Sequence, residues 1–185
     1  MKKLVIFDLD GTLLNTIADL AHSTNYALNK LGYPTHEIEK YNFMVGNGID
    51  KLFERALPEE EKSKENVLRV RKEFVPYYDI HNADDSRPYP GIPELLSYLQ
   101  DAGVQIAVAS NKYQTATQKL VDHYFPEIHF TAVFGQREGV KVKPDPIIVS
   151  DILEVAKVAK EEVLYVGDSG VDMHCLLYTS DAADE

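Results

Sequence analysis

Cysteine is nearly missing from this chain of 185 residues. Cys175 stands alone, so no intrachain disulfide can form, which fits a reducing compartment. Basic residues are short as well, 19 against 30 acidic ones, for a formal net charge of -11. That excess repels nucleic acid and anionic membrane surfaces at long range. It repels a phosphorylated metabolite too, so an anionic substrate needs a metal ion or a local basic group beside it. Long apolar runs are lacking, and nothing approaches a membrane-spanning length. The opening Met1-Lys2-Lys3 is followed by only four apolar residues before Asp8 and Asp10 intervene, too few for a signal peptide. These absences predict a cytoplasmic protein with neither nucleic acid nor membrane as partner. Also missing are a Gly-x-x-x-x-Gly-Lys-Ser/Thr phosphate loop, a nucleophile elbow around a serine and a His-Glu-x-x-His metal motif. There is no internal repeat and no low-complexity segment.

What is present alternates. Leu4-Val5-Ile6-Phe7 is a continuous apolar run, the pattern of a strand covered on both faces in a parallel sheet. Similar runs recur at Val104 to Ala109, Thr131 to Phe134 and Val163 to Val166, each followed by small, polar or turn-forming residues. Helical stretches lie between them: Pro93 to Ala102 closed by Gly103, Tyr113 to Phe125, and Pro146 to Lys160. Strand and helix in alternation predict an α/β fold, a doubly wound parallel sheet. Residues 16 to 87 break the pattern. Ile17, Leu20, Ala21, Leu28 and Leu31 recur at helical spacing, as do Val67, Val70, Phe74 and Tyr78. The expected organisation is an α/β core over 1–15 and 88–173, a helical insert over 16–87, and an atypical tail over 174–185.

Four segments carry chemistry, each at the end of an apolar run. Asp8-Leu9-Asp10-Gly11 places two carboxylates where alternate extended residues point the same way. Crowded there, they repel unless one is protonated or a cation lies between them; an isolated Asp-x-Asp-Gly also suits a capped turn. Gly167-Asp168-Ser169-Gly170-Val171-Asp172 brings another carboxylate to the same sheet edge, where ligands of open α/β sheets bind. Three such oxygen donors suit a hard cation and favour Mg²⁺. Ser110-Asn111-Lys112, read as the start of a helix, offers a hydroxyl and backbone amides for phosphate oxygens, or a plain helix cap. Lys143, fixed ahead of Pro144, can aim a cation into a site.

In chain order, the acid pair, the hydroxyl, the lysine and the last acids resemble the four motifs of the haloacid dehalogenase superfamily of phosphohydrolases, and the resemblance covers residues 1 to about 173. Val45-Gly46-Asn47-Gly48-Ile49, Arg55-Ala56-Leu57 and Tyr89-Pro90-Gly91 are most similar to phosphoglycolate phosphatases. The resemblance implies a Rossmann-like core with an inserted helical cap, and Mg²⁺-dependent hydrolysis of a small phosphorylated metabolite by a monomer or weak dimer. Asp8 is then the nucleophile, forming an aspartyl-phosphate, and Asp10 the general acid and base. Asp8, the Asp10 carbonyl and Asp168 hold Mg²⁺, while Ser110, Asn111 and Lys143 bind phosphate. Asp172 acts behind them on metal-bound water or on Lys143. Gly46, Asn47 and Gly48 form a cap loop over the substrate.

Two catalytic alternatives share the fold. Haloacid dehalogenases need no acid two residues after the nucleophile, so Asp10 speaks against them; a phosphomutase is not excluded by these residues. A catalytically silent chain is the third alternative, because residues 174–185 do not resemble the family's continuation and suggest a truncated or foreign C-terminus. On that reading the strand at Val163 lies at a sheet edge, and the helix after Asp172 is cut short or frayed.

Overall fold

The computed structural model describes residues 2–181, with side chains described as far as residue 175. In chain order the elements are β1 (Leu4–Phe7), β2 (Leu14–Asn15), α1 (Ile17–Lys30), α2 (Ile49–Ala56), α3 (Lys64–His81), β3 (Arg87–Pro88) and α4 (Ile92–Asp101). There follow β4 (Gln105–Tyr113), α5 (Gln114–Tyr124), β5 (Ala132–Gln136), α6 (Ile147–Ala156), β6 (Val163–Val166) and α7 (Gly170–Asp181). The chain divides into two compact units, one made of the segments up to Leu14 and from Pro88 onward, the other of Asn15–Arg87.

All four residues of β1 are buried, as both faces of a covered parallel sheet require. The strand order is β5-β4-β1-β6, and β1 pairs in parallel with β4 on one side and β6 on the other. Leu4, Ile6, Ala107, Ala109, Val163 and Tyr165 share one buried cluster with Ile148, Val149 and Ile152 of α6 and Cys175 of α7. Side chains alternate along a strand, so Val5, Phe7, Ile106 and Val108 bury on the opposite face, where α4 and α5 pack against β4. The doubly wound parallel sheet read from the sequence is present. After β5 the chain returns to the far side of β1 to form β6, which reverses the winding. Such a reversal opens a crevice at the carboxyl ends of the strands.

Boundaries differ most from the sequence reading in two places. The strand expected to stop at Ala109 runs on to Tyr113, and its register against β5 shifts between Ala109 and Tyr113. Ser110, Asn111 and Lys112 are therefore strand residues around an irregularity, not the start of a helix; α5 begins at Gln114, without a side-chain cap. The helix expected to reach Lys160 ends at Ala156, because Lys157 takes a left-handed conformation (φ 54°) and closes the last turn by donating its N–H to Leu153 O.

α7 continues through residues 174–181; residues 182–185 lie outside the described residues. Its opening is supported by Asp172, an acid in the first turn where the helix dipole favours negative charge. In the sheet as described, β6 is an edge strand. Among the described residues no helix is long and apolar enough to cross a membrane.

The inserted unit is helical, with α1, α2 and α3 joined by short 3-10 turns. Tyr41, Phe53, Phe74 and Tyr78 are buried at its centre, with the Phe53 and Phe74 rings edge to face at 4.9 Å between centroids. The buried carboxylate of Asp19 accepts hydrogen bonds from the Asp85 and Ser86 N–H groups and the Ser86 hydroxyl. It thereby fastens the start of α1 to the segment by which the chain leaves the unit. Arg55 donates to Met44 O (2.8 Å) and Asn47 Oδ1 (2.7 Å), which braces the loop holding Gly46, Asn47 and Gly48.

Candidate active site

β1 delivers Asp8 to the carboxyl edge of the sheet. Its N–H donates to Val166 O of β6 (2.9 Å), so the backbone is still in register as the strand ends. The Asp8 carboxylate is buried, and its Oδ1 accepts from the Leu9 N–H at 2.7 Å. The chain then turns sharply. Gly11 has φ +84°, a conformation open to glycine at little steric cost. A Cβ on Gly11 would also fall 2.1 Å from Asp168 Oδ2. The acid after β6 therefore lies directly against the turn that follows β1.

Lys143 is the hub of the site. Its side chain is 1% exposed, and its ammonium lies 2.9 Å from Asp8 Oδ1 and 2.7 Å from Asp172 Oδ1. It also donates to Ala109 O (2.8 Å) and to the Tyr165 hydroxyl (3.3 Å). The Asn111 amide clasps its backbone, Oδ1 accepting from Lys143 N–H at 2.8 Å and Nδ2 donating to Lys143 O at 3.2 Å. Asp172 is engaged at both oxygens. Oδ1 accepts from Lys143 and the Tyr165 hydroxyl, and Oδ2 from the Ser169 N–H and hydroxyl. It thus fixes the lysine rather than facing open space.

The electrostatics follow from this packing. Burial first, opposed by Lys143 and assisted by Asp172 and Asp10, pushes the Asp8 carboxyl up to about 7. Burial works against the Lys143 charge, but Asp8, Tyr165 and Asp172 outweigh it and hold the ammonium above its ordinary value. Asp168 is raised by its burial and by Asp172. Tyr89 is raised by burial, then by Asp168 and Asp10, which places its ring in the field of the same acids.

The residues singled out from the sequence fall at several places in the fold. Oxygens of Asp8, Asp168 and Asp172 lie within 4.8 Å of one another. The Asp10 carboxylate is not in that group; its Oδ2 is 3.2 Å from the ammonium of Lys112. Ser110 is buried on β4, with its hydroxyl accepting from the Lys112 N–H at 3.2 Å. Gly46, Asn47 and Gly48 belong to the inserted unit.

Crowded oxygen donors, two of them with proton affinity raised by burial first and by neighbouring acids second, fit a hard divalent cation, which would offset their charge. Because both Asp172 oxygens are taken, Asp8 and Asp168 are the side chains fitted to hold it. Sequence reasoning gave no role to the side chain of Lys112 or to Tyr165. Lys112 was signalled only by standing beside Ser110 and Asn111, and Tyr165 only as a polar tip within an apolar strand.

The fold and this cluster gather carboxylates at a parallel sheet's carboxyl edge, the place where α/β enzymes bind their ligands. Residues 5–176 match the haloacid dehalogenase-like hydrolase family, and the chain belongs to it. Within that family it is phosphoglycolate phosphatase-like. It is 33% identical over 176 residues to the phosphoglycolate phosphatase of Vibrio parahaemolyticus, covering 92% of this chain and 77% of that one. Identity with the phosphoglycolate phosphatase of Mesorhizobium japonicum is 31% over 174 residues, 93% of this chain and 77% of the relative. A phosphoglycolate phosphatase candidate from Lactobacillus delbrueckii subsp. bulgaricus has a solved structure with a TM-score of 0.90 and 32% identity. That alignment covers 97% of this chain and 84% of the other.

Proposed function

We propose that this chain hydrolyses a small phosphate monoester of the phosphoglycolate kind in two displacements at phosphorus. The observation that carries the reading is the buried Asp8 carboxylate at the end of the central strand, held 2.9 Å from a buried, charge-balanced Lys143. An Asp8 oxygen attacks phosphorus and the bond from phosphorus to the ester oxygen breaks, leaving an aspartyl-phosphate. Asp10, two residues on, gives its proton to the departing alkoxide. It then takes a proton from the water that attacks the aspartyl-phosphate, and release of phosphate restores the Asp8 carboxylate.

Lys143, the Ser110 hydroxyl and the backbone N–H of Asn111 offset the charge on the phosphoryl oxygens, where positioned donors contribute most to such reactions. Asn111 has a further part, since its side chain orients the lysine. Asp8, Asp168 and the Asp10 carbonyl would hold Mg²⁺, which when bound would supply charge neutralisation and orientation of the phosphate. Asp172 keeps Lys143 in place. Gly46, Asn47 and Gly48 of the inserted unit are the candidates for choosing among esters.

Asp8→Asn is nearly isosteric and removes the nucleophile. It should lower phosphate release from phosphoglycolate by several orders of magnitude, each factor of ten being about 1.4 kcal/mol of barrier. Rapid acid quench with radiolabelled ester should leave label on wild-type protein and none on the variant. Near-normal turnover by Asp8→Asn, or label on a residue other than Asp8, would overturn the mechanism.

A further inference from the structure

A buried lysine stands behind Asp10. Lys112 has a side chain 1% exposed, and its ammonium lies 3.2 Å from Asp10 Oδ2, whose own side chain is 15% exposed. The two come from different strands, Asp10 from the turn after β1 and Lys112 from the end of β4. Nothing local brings them together.

The backbone of Lys112 is held from several directions. Its N–H donates to Ser110 Oγ (3.2 Å), and its carbonyl accepts from the Thr117 hydroxyl (3.1 Å). Gln114 bridges to β5, with Oε1 accepting from the Gly135 N–H (2.7 Å) and Nε2 donating to Val133 O (3.0 Å). A Cβ at Gly135 would sit 2.5 Å from Lys112 O and 2.6 Å from Thr117 Oγ1, so only glycine allows this approach. The strand irregularity between Ala109 and Tyr113 is thus locked where Lys112 leaves the chain. A buried ammonium must keep a charged partner, and 3.2 Å away it meets the carboxylate that moves the proton in the function proposed above.

We propose that Lys112 is a positioning residue for Asp10, holding one carboxylate oxygen so that the carboxyl cannot rotate away from the ester oxygen. The inference rests on the role of Asp10 in the proposed function. Proton transfer to a leaving group needs donor and acceptor within about 2.6–3.2 Å. A carboxyl released from the ammonium visits that geometry for only a fraction of the time. The penalty should scale with how much the leaving group needs a proton, which a purely structural role does not predict.

The test is kcat/KM of the Mg²⁺-loaded enzyme on a series of substituted phenyl phosphates running from good to poor leaving groups, for wild type, Asp10→Asn and Lys112→Met. General acid catalysis is worth about 10²–10⁴-fold. Asp10→Asn should therefore steepen the dependence on leaving-group pKa, and Lys112→Met should steepen it in the same direction. Its loss on the poorest leaving group should exceed that on the best by about 10-fold or more. Lys112→Gln, which keeps a shorter hydrogen-bond donor, should fall between and serves if Lys112→Met does not fold. Equal losses across the series, or no loss, would overturn the proposal for Lys112. If Asp10→Asn steepens the series and neither Lys112 variant does, only this inference fails. If Asp10→Asn leaves the slope at its wild-type value, the acid role of Asp10 fails and this inference with it.

Discussion

Asp8 and Lys143 form a pair in which burial works on both partners in opposite senses. Desolvation favours the neutral form of each, yet the lysine keeps its charge because Asp172 and the carbonyl of Ala109 also face it. Asp8 has fewer compensations and is left with its carboxyl at about 7 in the metal-free protein, against about 3.9 for an aspartate in an unfolded chain. The folded state therefore holds a proton that the unfolded state releases between those two values. Stability from this group is fully present below about pH 4 and is lost as pH rises through 7, by up to a few kcal/mol at about 1.4 per unit. In chelator, the melting temperature of wild type should fall across that window relative to Asp8→Asn, which cannot titrate. A gap between the two proteins that stays constant with pH would show that burial does not burden Asp8 as argued.

At the scale of elements, the turn after β1 and the end of β4 do what the sheet alone cannot. Gly11→Ala combines a left-handed φ, costing about 1 kcal/mol for a residue with a Cβ, with a 2.1 Å approach to Asp168 Oδ2. Asp168 must move, so the variant should lose about 1–3 kcal/mol and also its response to Mg²⁺. Urea denaturation with and without Mg²⁺ checks both, and a variant that loses stability but keeps the full Mg²⁺ response would sink the link between turn and acid. This turn was legible in the sequence because apolar run, acid, turn and glycine are all local signals. The continuous apolar run of β1 likewise announced a central strand. The extension of β4 to Tyr113 was not legible, since Ser110, Asn111 and Lys112 have polar turn-like chemistry and lie in the strand only because Ala109 and Tyr113 on either side of them pair with β5. Nor was the early end of α6, where Lys157 takes φ +54° without the glycine that usually marks such a cap. Tyr165 and Lys112 escaped for a different reason. Their partners, Asp172 with Lys143 and Asp10, are brought to them by the fold, and no sequence spacing encodes that meeting.

For the whole molecule, the net charge of -11 and the acid group Asp8, Asp168 and Asp172 act in the same direction, storing repulsion that a bound cation would relieve. A ligand that binds only the folded state stabilises it by about 2.7 kcal/mol at a hundred times its dissociation constant. In a chain of this size that corresponds to a rise of roughly 5–10 °C in melting temperature. Divalent cations also screen the acidic surface generally, so a rise alone does not locate the site. pH separates the two effects. A cation bound through Asp8 must displace the proton that Asp8 holds below about 7, whereas the ordinary surface carboxylates are ionised well below that value. The Mg²⁺-induced rise should therefore be small at pH 6, grow through pH 7 and level off near pH 8, at fixed ionic strength. Asp8→Asn should remove the growth and keep only the screening part. A rise of equal size at pH 6 and pH 8, or one that survives Asp8→Asn undiminished, would place the cation on the acidic surface instead of at the end of β1.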